Sequence, residues 1–158
     1  GNLNPDERCD LLGAVADEME AGDGFLLGLD RVKPVETLEL AYNDSRNVTA
    51  AFNRNILNVV NRLAGTDFDP RDFDHLAFFN EQKSRIEMHL APLHDVEVTA
   101  PGSPCRFTVS RGETIHTENS YKFSAAQIRS MVQQAGLVVE RHITDRNGWF
   151  SLLHLTRC

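Results

Sequence analysis

A run of polar residues at positions 114–122, TIHTENSYK, contains side chains that could bind a small polar ring. If this run is a β-strand, its alternation places His116, Glu118 and Ser120 on one face. The Glu118 carboxylate can accept a hydrogen bond from an imidazole or an ammonium group, and the Ser120 hydroxyl can donate or accept one. An exposed edge strand with solvated polar residues would show the same pattern, so both interpretations stay open.

Two pairs of residues have the side chains that zinc prefers. They are His116 with Glu118 and Glu87 with His89, each pair separated by one residue. A zinc site needs at least three protein ligands, and neither pair has a third one nearby in the sequence. We therefore expect no metal site, and we expect these histidines to be solvated or hydrogen-bonded within the protein.

The remaining reactive side chains have no recognisable partners. Cys9 has no histidine placed beside it by any known motif, so it is a weak candidate for a nucleophile. Tyr42, at the end of a predicted helix, could point its phenol into a cleft or lie at the surface. We therefore predict no catalytic side chain from spacing alone.

No cofactor loop is visible in the sequence. A parallel sheet binds its ligands at the carboxyl ends of its strands, in loops that lead into helices. Gly22 and Gly24 precede a predicted strand instead of following one, which is typical of a helix terminator. There is also no P-loop, nucleophile elbow or HExxH motif. The cofactor-binding residues are therefore unknown at this stage.

The elements that must position these residues change character along the chain. Helical periodicity predicts helices at 5–19, up to position 42, at 47–64 and at 124–136. Strands are predicted at 25–29, 75–79, 85–90, 96–98, 106–109, 114–121, 137–144 and 149–156. The helix before strand 25–29 suggests a unit of a parallel sheet. We therefore expect an α/β fold in which 1–31 and 123–158 form one domain, interrupted by an α+β insertion at 32–122.

Composition narrows the class of protein. The 158 residues suffice for one domain, and 41% hydrophobic and 25% charged residues are typical of a globular chain. A net charge of −7 without a basic cluster argues against nucleic-acid and membrane-surface partners. The odd number of cysteines, Cys9, Cys105 and Cys158, lacks any CxxC pair and favours a reducing, cytoplasmic compartment. We expect a small-molecule ligand.

Several segments, taken in order, resemble one family. They are GNLNP at 1–5, FLLGLD at 25–30, AYND at 41–44, VTAAFN at 48–53, RIEM at 85–88 and TENSYKF at 117–123. In this order they resemble the carboxyl-terminal part of the L-histidine Nα-methyltransferases of ergothioneine biosynthesis. The resemblance implies the carboxyl-terminal half of a class I, Rossmann-like methyltransferase sheet with an inserted α+β substrate-binding domain.

The resemblance also implies roles for particular residues. Asn2 and Tyr42 would contact the carboxylate and α-amino end of the substrate. Glu118 and Ser120 would bind the imidazole, and Met88 would line the pocket. The reaction implied is transfer of methyl groups from S-adenosylmethionine to the α-amino nitrogen of L-histidine, giving trimethylhistidine.

Two departures from the family pattern leave alternatives open. The family's glycine-rich loop and ribose-binding acid have no counterpart here, so we expect a fragment whose methyl-donor site is mostly outside this chain and which is inactive alone. Asn119 and Tyr121 leave the acceptor open, so a related enzyme could use another amine. The chain could also be a non-catalytic amino-acid-binding module, or a remnant that self-associates through an unpaired sheet edge.

Overall fold

A computed structural model describes residues 1–102 and 106–157, and within them the fold is mixed α/β, as predicted. The helices are α1 (Pro5–Glu18), α2 (Val35–Tyr42), α3 (Val48–Ala64) and α4 (Ala125–Gln134), with a 3-10 turn at Pro70–Asp72. The strands are β1 (Phe25–Asp30), β2 (Phe73–Asn80), β3 (Arg85–Pro92), β4 (Val96–Val98), β5 (Phe107–Val109), β6 (Ile115–Tyr121), β7 (Leu137–Thr144) and β8 (Phe150–Arg157). The predicted elements are thus confirmed, with ends that differ by a few residues.

The chain divides into two compact units. The first, here called the terminal unit, contains Gly1–Pro34, Glu81–Arg85 and Asn119–Cys158. The second, here called the inserted unit, contains Val35–Asn80 and Ile86–Glu118. Cys105 and Cys158 lie outside the described residues, while Cys9 is an exposed free thiol and not part of a core.

The terminal unit contains a three-stranded sheet in the order β1-β8-β7. Strand β8 pairs antiparallel with both neighbours, so β1 and β7 run parallel to each other on either side of it. Among the described strands, the one paired with β1 is thus antiparallel, and the predicted unit of a parallel sheet is seen only in the shared direction of β1 and β7. The reason is the tight turn after β7, which returns β8 between β7 and β1.

Helices α1 and α4 pack on one face of this sheet. Their apolar residues, including Leu12, Ile128 and Val132, form one core with Leu153 and Leu155 of β8. Alternate residues of the strands point the other way, and Leu26, Ile143 and Leu152 of that face are exposed. Self-association through such a surface stays a prediction.

The inserted unit contains two apolar clusters. Leu57 of α3 packs with Phe68, Phe73, Leu90 and neighbours, because α3 directs one apolar face toward the strands until Gly65 ends the helix with a left-handed φ of 68°. A second cluster joins α2 to strands β2 and β3 and comprises Leu38, Ala77, Ile86 and Met88. Strands β4 and β5 pair antiparallel beside the first cluster.

Among the described residues, no helix is both long and apolar enough to cross a membrane.

The core of the terminal unit should depend on the buried face of β8. Leu155 is fully buried, whereas Leu152 in the same strand is exposed. We expect Leu155→Ala to lower the free energy of unfolding by about 2–5 kcal/mol, because it removes buried methyl groups and leaves a cavity. Leu152→Ala, measured by the same urea denaturation, should cost less than half as much. Equal losses would contradict the assignment of the two faces.

Candidate functional site

Glu118 borders a small open cavity at the surface of the inserted unit, where Phe52 and Ile56 are exposed. The cavity holds about 180 Å³, and helix α3 and strand β6 form its walls. It is lined by Phe52, Asn53, Asn55, Ile56, Val59, Thr117 and Glu118, of which Glu118 is the only charged residue. The volume is below the range of about 300–1,000 Å³ that is usual for drug-sized ligands. The cavity is therefore of a size that suits only a small ligand.

The wall of this cavity is fixed by Asn53, whose side chain is 2% exposed. Its amide nitrogen donates to the carbonyl oxygen of His89 at 3.0 Å and contacts Nδ1 of His75 at 3.0 Å. Its amide oxygen lies 2.5 Å from the hydroxyl of Thr117, the residue next to Glu118. The Thr117 hydroxyl is also 2.9 Å from the carbonyl oxygen of Met88. One buried amide thus connects α3 to strands β2, β3 and β6.

These contacts determine the tautomer of His75. Its Nε2 lies 2.9 Å from the backbone carbonyl of Tyr42, which can only accept a hydrogen bond. Nε2 therefore carries the proton, and Nδ1 accepts from the Asn53 amide. His75 and Asn53 together link the end of α2 to α3, so the position of Tyr42 depends on the same network.

Tyr42 and Met88 belong to one apolar cluster. Met88 is buried among Leu38, Ala77 and Ile86, and the half-buried ring of Tyr42 packs against this group. Met88 does not line the Glu118 cavity, although its carbonyl receives the Thr117 hydroxyl. Its role in lining a substrate pocket stays a prediction.

Gly1, the residue before Asn2, lies close to Ser120 in the terminal unit. The backbone N–H of Tyr121 donates to the carbonyl of Gly1 at 2.9 Å. A Cβ atom built on Gly1 would lie 3.7 Å from the Ser120 hydroxyl oxygen. Asn2, which is exposed, therefore follows directly on a residue that touches the end of strand β6.

Ser120 contacts a group of three charged side chains, Lys122, Asp30 and Lys33, that are paired with one another. The ammonium group of Lys122 donates to the Ser120 hydroxyl oxygen at 2.7 Å and pairs with the Asp30 carboxylate at 3.1 Å. The other oxygen of Asp30 pairs with Lys33 at 2.5 Å. Lys122 is 1% exposed, so protein groups and not water surround its ammonium group. Sequence reasoning missed this lysine, because nothing in the local pattern marks it as buried.

The structure also brings Glu87 and His89 together with His116. Their candidate ligand atoms lie within 4.8 Å of one another. However, the two imidazole rings are stacked, with centroids 4.4 Å apart and planes inclined by only 7°. An imidazole binds a metal through a lone pair in the plane of the ring, and a single ion cannot lie in two stacked parallel planes. As placed, the three side chains form a stacked, hydrogen-bonded cluster and not a metal-ready set.

Helix α3, which carries most of the cavity wall, begins at a charged cap. The backbone N–H groups of Thr49 and Val48 donate to the two oxygens of Asp44 at 2.8 and 3.0 Å. These bonds, that of Thr49 foremost, lower the pKa of Asp44 to about 2. The sequence pattern put the start of the helix at Asn47, but the cap is supplied by Asp44.

Comparisons with known proteins give a consistent result. A family model described as histidine-specific, S-adenosylmethionine-dependent methyltransferase matches residues 1–157. The histidine N-alpha-methyltransferases of Mycolicibacterium smegmatis and Mycobacterium tuberculosis are each 40% identical over 152 residues, which is 96% of this chain. Ergothioneine biosynthesis protein 1 of Schizosaccharomyces pombe is 28% identical over 136 residues, covering 85% of this chain and 17% of that protein.

The chain spans about half the length of the bacterial relatives, 47% in each case. Among solved structures, an S-adenosylmethionine-dependent methyltransferase from Clostridium acetobutylicum matches 98% of this chain and 52% of its own, with a TM-score of 0.46 and 7% identity.

Replacing Asn53 should destabilise the inserted unit. Asn53→Ala removes the amide from Nδ1 of His75, from the His89 carbonyl and from the Thr117 hydroxyl, which keeps only its contact with the Met88 carbonyl. A buried polar group left unsatisfied costs about 1–3 kcal/mol. We expect a loss of about 2–4 kcal/mol in the free energy of unfolding, measured by urea denaturation. Asn58→Ala, which removes only an exposed contact with Asn55, should change it by less than about 0.5 kcal/mol. Similar effects for the two variants would refute the network.

Because of the Asp44 cap, the free energy of unfolding should depend on pH in the acidic range. A folded-state pKa of about 2, below the ordinary 3.8, means that the carboxylate stabilises the fold above pH 3.8 and loses this effect as the pH falls toward about 2. The difference in unfolding free energy between wild type and Asp44→Asn should therefore shrink across that interval. A difference that is the same at both ends, in denaturation curves taken at each pH, would contradict the cap.

Proposed function

Because the chain belongs to the histidine-specific, S-adenosylmethionine-dependent methyltransferase family, we propose that its full-length gene product methylates the α-amino nitrogen of L-histidine, up to trimethylhistidine, as in ergothioneine biosynthesis. The observation that carries the choice of substrate is the Glu118 cavity. It is small, its lining includes the apolar residues Phe52, Ile56 and Val59, and Glu118, whose carboxylate can accept N–H hydrogen bonds, is the one charged residue that borders it.

The reaction makes a limited demand on the protein. The lone pair of the unprotonated amine attacks the sulfonium methyl carbon, the carbon–sulfur bond breaks with its electron pair going to sulfur, and the amine proton is lost. Positioning two reactants in this way is worth up to about 7–11 kcal/mol of the barrier. The residues of this chain therefore need to bind and orient the amino acid, and no side chain need form a covalent bond.

S-adenosylmethionine is the methyl donor of the family, but the described residues do not fit its site. Two loops connect a strand directly to an α-helix in the described chain, residues 31–34 and 122–124, and neither contains glycine. Asp30, at the carboxyl end of β1, is already paired with Lys122 and Lys33. We therefore derive no contact with the donor from these residues, and we propose that its site is formed mostly by other parts of the gene product.

The two parts of the chain would have different roles. We assign the predicted segments 1–31 and 123–158 to the methyltransferase α/β domain and 32–122 to the inserted substrate-binding domain. The position of the Glu118 cavity wholly within the inserted unit supports this assignment. Tyr42, Met88 and Glu118 belong both to the predicted insertion, 32–122, and to the inserted unit.

The proposed roles follow the chemistry of each side chain. Glu118 would accept a ring N–H while Phe52 and Ile56 contact the face of the imidazole. Ser120 would bind the second ring nitrogen. Asn2, which follows Gly1 in the terminal unit, would bind the amino-acid end of histidine together with Tyr42, and Met88 would line the pocket.

Catalysis can be tested with the full-length gene product, histidine and labelled S-adenosylmethionine. We expect trimethylhistidine, and we expect Glu118→Ala to lower kcat/KM for histidine about 10- to 100-fold, as for loss of a hydrogen bond to a charged group. Glu140→Ala, at an exposed glutamate of β7, is the matched control and should leave kcat/KM unchanged.

Other outcomes would separate the rival hypotheses. Methylation of a different amine but not of histidine would show that the substrate assignment is wrong while the reaction class stands. Calorimetry with S-adenosylmethionine distinguishes an enzyme from a non-catalytic amino-acid-binding module: a gene product that binds histidine but no donor would be the module. Normal activity of Glu118→Ala would remove Glu118 from the site.

A further inference from the structure

We infer that a second small cavity, which lies within the terminal unit, binds a tetrahedral oxyanion of the size of inorganic phosphate. The cavity holds about 150 Å³, and its lining comes from the first two turns of α1, the start of α4, the end of β6 and the turn between β2 and β3. Three of the described residues that line it, Arg8, Lys83 and Lys122, are basic, and none of them is acidic. This inference goes beyond the proposed function and does not depend on it.

Arg8 provides the observation that points to a ligand. Its guanidinium carbon lies 4.9 Å from the ring centre of Phe123 and 5.1 Å from that of Tyr121. Its Nη1 is buried and has no hydrogen-bond partner among the described residues. Contacts with ring faces stabilise the cation, but a buried N–H group without an acceptor still costs about 1–3 kcal/mol. An anion in the cavity that Arg8 lines would supply an acceptor for this guanidinium group.

The two rings that contact Arg8 are themselves held in place. Both Tyr121 and Phe123 are buried. The Tyr121 hydroxyl accepts from Nη1 of Arg85 at 2.7 Å and donates to Oδ1 of Asn4 at 3.1 Å. Arg8 thus packs against a rigid surface before any anion arrives, so binding requires little further ordering of this side chain.

The two lysines that line the cavity are positioned by the backbone. Ser84, next to Lys83, accepts the backbone N–H of Lys122 at 2.8 Å through its carbonyl, and its hydroxyl donates to the Lys122 carbonyl at 2.8 Å. The turn that carries Lys83 is therefore joined to the segment that carries Lys122. Because Lys122 also pairs with the Asp30 carboxylate, whose charge offsets its own, we expect Arg8 to contribute more to anion binding than Lys122 does.

Helix α4 contributes a neutral donor to the same cavity. The side-chain oxygen of Gln127 accepts from the backbone N–H of Ser124 at 2.8 Å, so the NH₂ group is what this side chain can offer a ligand. The backbone dipoles of the helix also favour an anion near its first turn.

The size of the cavity and its several donors favour a tetrahedral ion. The volume is about half of the lower limit of about 300 Å³ that is usual for drug-sized ligands, so a free oxyanion fits better than a nucleotide. A phosphate or sulfate ion offers four oxygens to Arg8, Lys83 and Gln127, whereas a carboxylate offers two.

The test is calorimetric titration of the full-length gene product with inorganic phosphate, at an ionic strength kept constant with sodium chloride. We expect one saturable site for which sulfate competes and acetate does not. Arg8→Met and Lys83→Met should each raise the Kd for phosphate about 10- to 100-fold, as for loss of a hydrogen bond to a charged group. Arg129→Met is the matched control. It removes the same charge from an exposed position of α4 outside the cavity lining, and it should leave the Kd unchanged.

A second comparison separates anion binding from an effect on folding. Arg8→Met also removes the contacts with the rings, whereas Arg8→Lys keeps the positive charge and loses only the planar fork, so its Kd should lie between those of wild type and Arg8→Met. If thermal unfolding shows that Arg8→Met is not folded, Lys83→Met decides, because Lys83 has no part in the ring contacts of Arg8.

Three results would overturn the inference. They are a heat of titration that does not saturate, a Kd that is the same in wild type and in the folded cavity variants, and loss of phosphate binding in the presence of saturating histidine. The last result would make the cavity part of the amino-acid site instead of a separate anion site.

Discussion

A buried side-chain amide must find partners for its hydrogens and its oxygen, and in the inserted unit this constraint organises the site. Asn53 meets it with His75, the His89 carbonyl and Thr117, which belong to three different strands. None of these strands can move relative to α3 without leaving a polar group unpaired in a dry interior. The cavity beside Glu118 therefore keeps its shape through polar bonds as well as through apolar packing.

In the terminal unit, a buried charge likewise connects separate elements. Lys122 is surrounded by protein, and its ion pair with Asp30 joins the end of β6 to the end of β1. Desolvating an ammonium group is costly, and exchanging it for an apolar side chain is often neutral or stabilising. The ammonium group of Lys122 is therefore compensated by its two polar contacts, with the Asp30 carboxylate and with the Ser120 hydroxyl.

The sequence was informative where local pattern decides the outcome. Alternation and helical spacing predicted the helices and strands, because each depends on residues a few positions apart. The neighbour of β1 was not predicted, since its partner, β8, is more than 100 residues away and the strand pattern does not encode the pairing. The sequence did contain a signal for the role of Asn53. It is a polar residue four positions before Leu57, so it lies on the buried face of α3, where a polar side chain needs hydrogen-bond partners. Lys122 carried no comparable signal.

For the candidate ligand residues too, the sequence pattern predicted which side chains share a face but not their hydrogen-bond partners. Strand alternation placed Glu118 and Ser120 on one face but left open whether the serine donates or accepts, because a hydroxyl does both. The contact with Lys122 shows that the Ser120 oxygen accepts one N–H bond there. The strand pattern could not predict this partner, because the burial of a lysine two residues further along depends on contacts with Asp30, which is distant in the sequence.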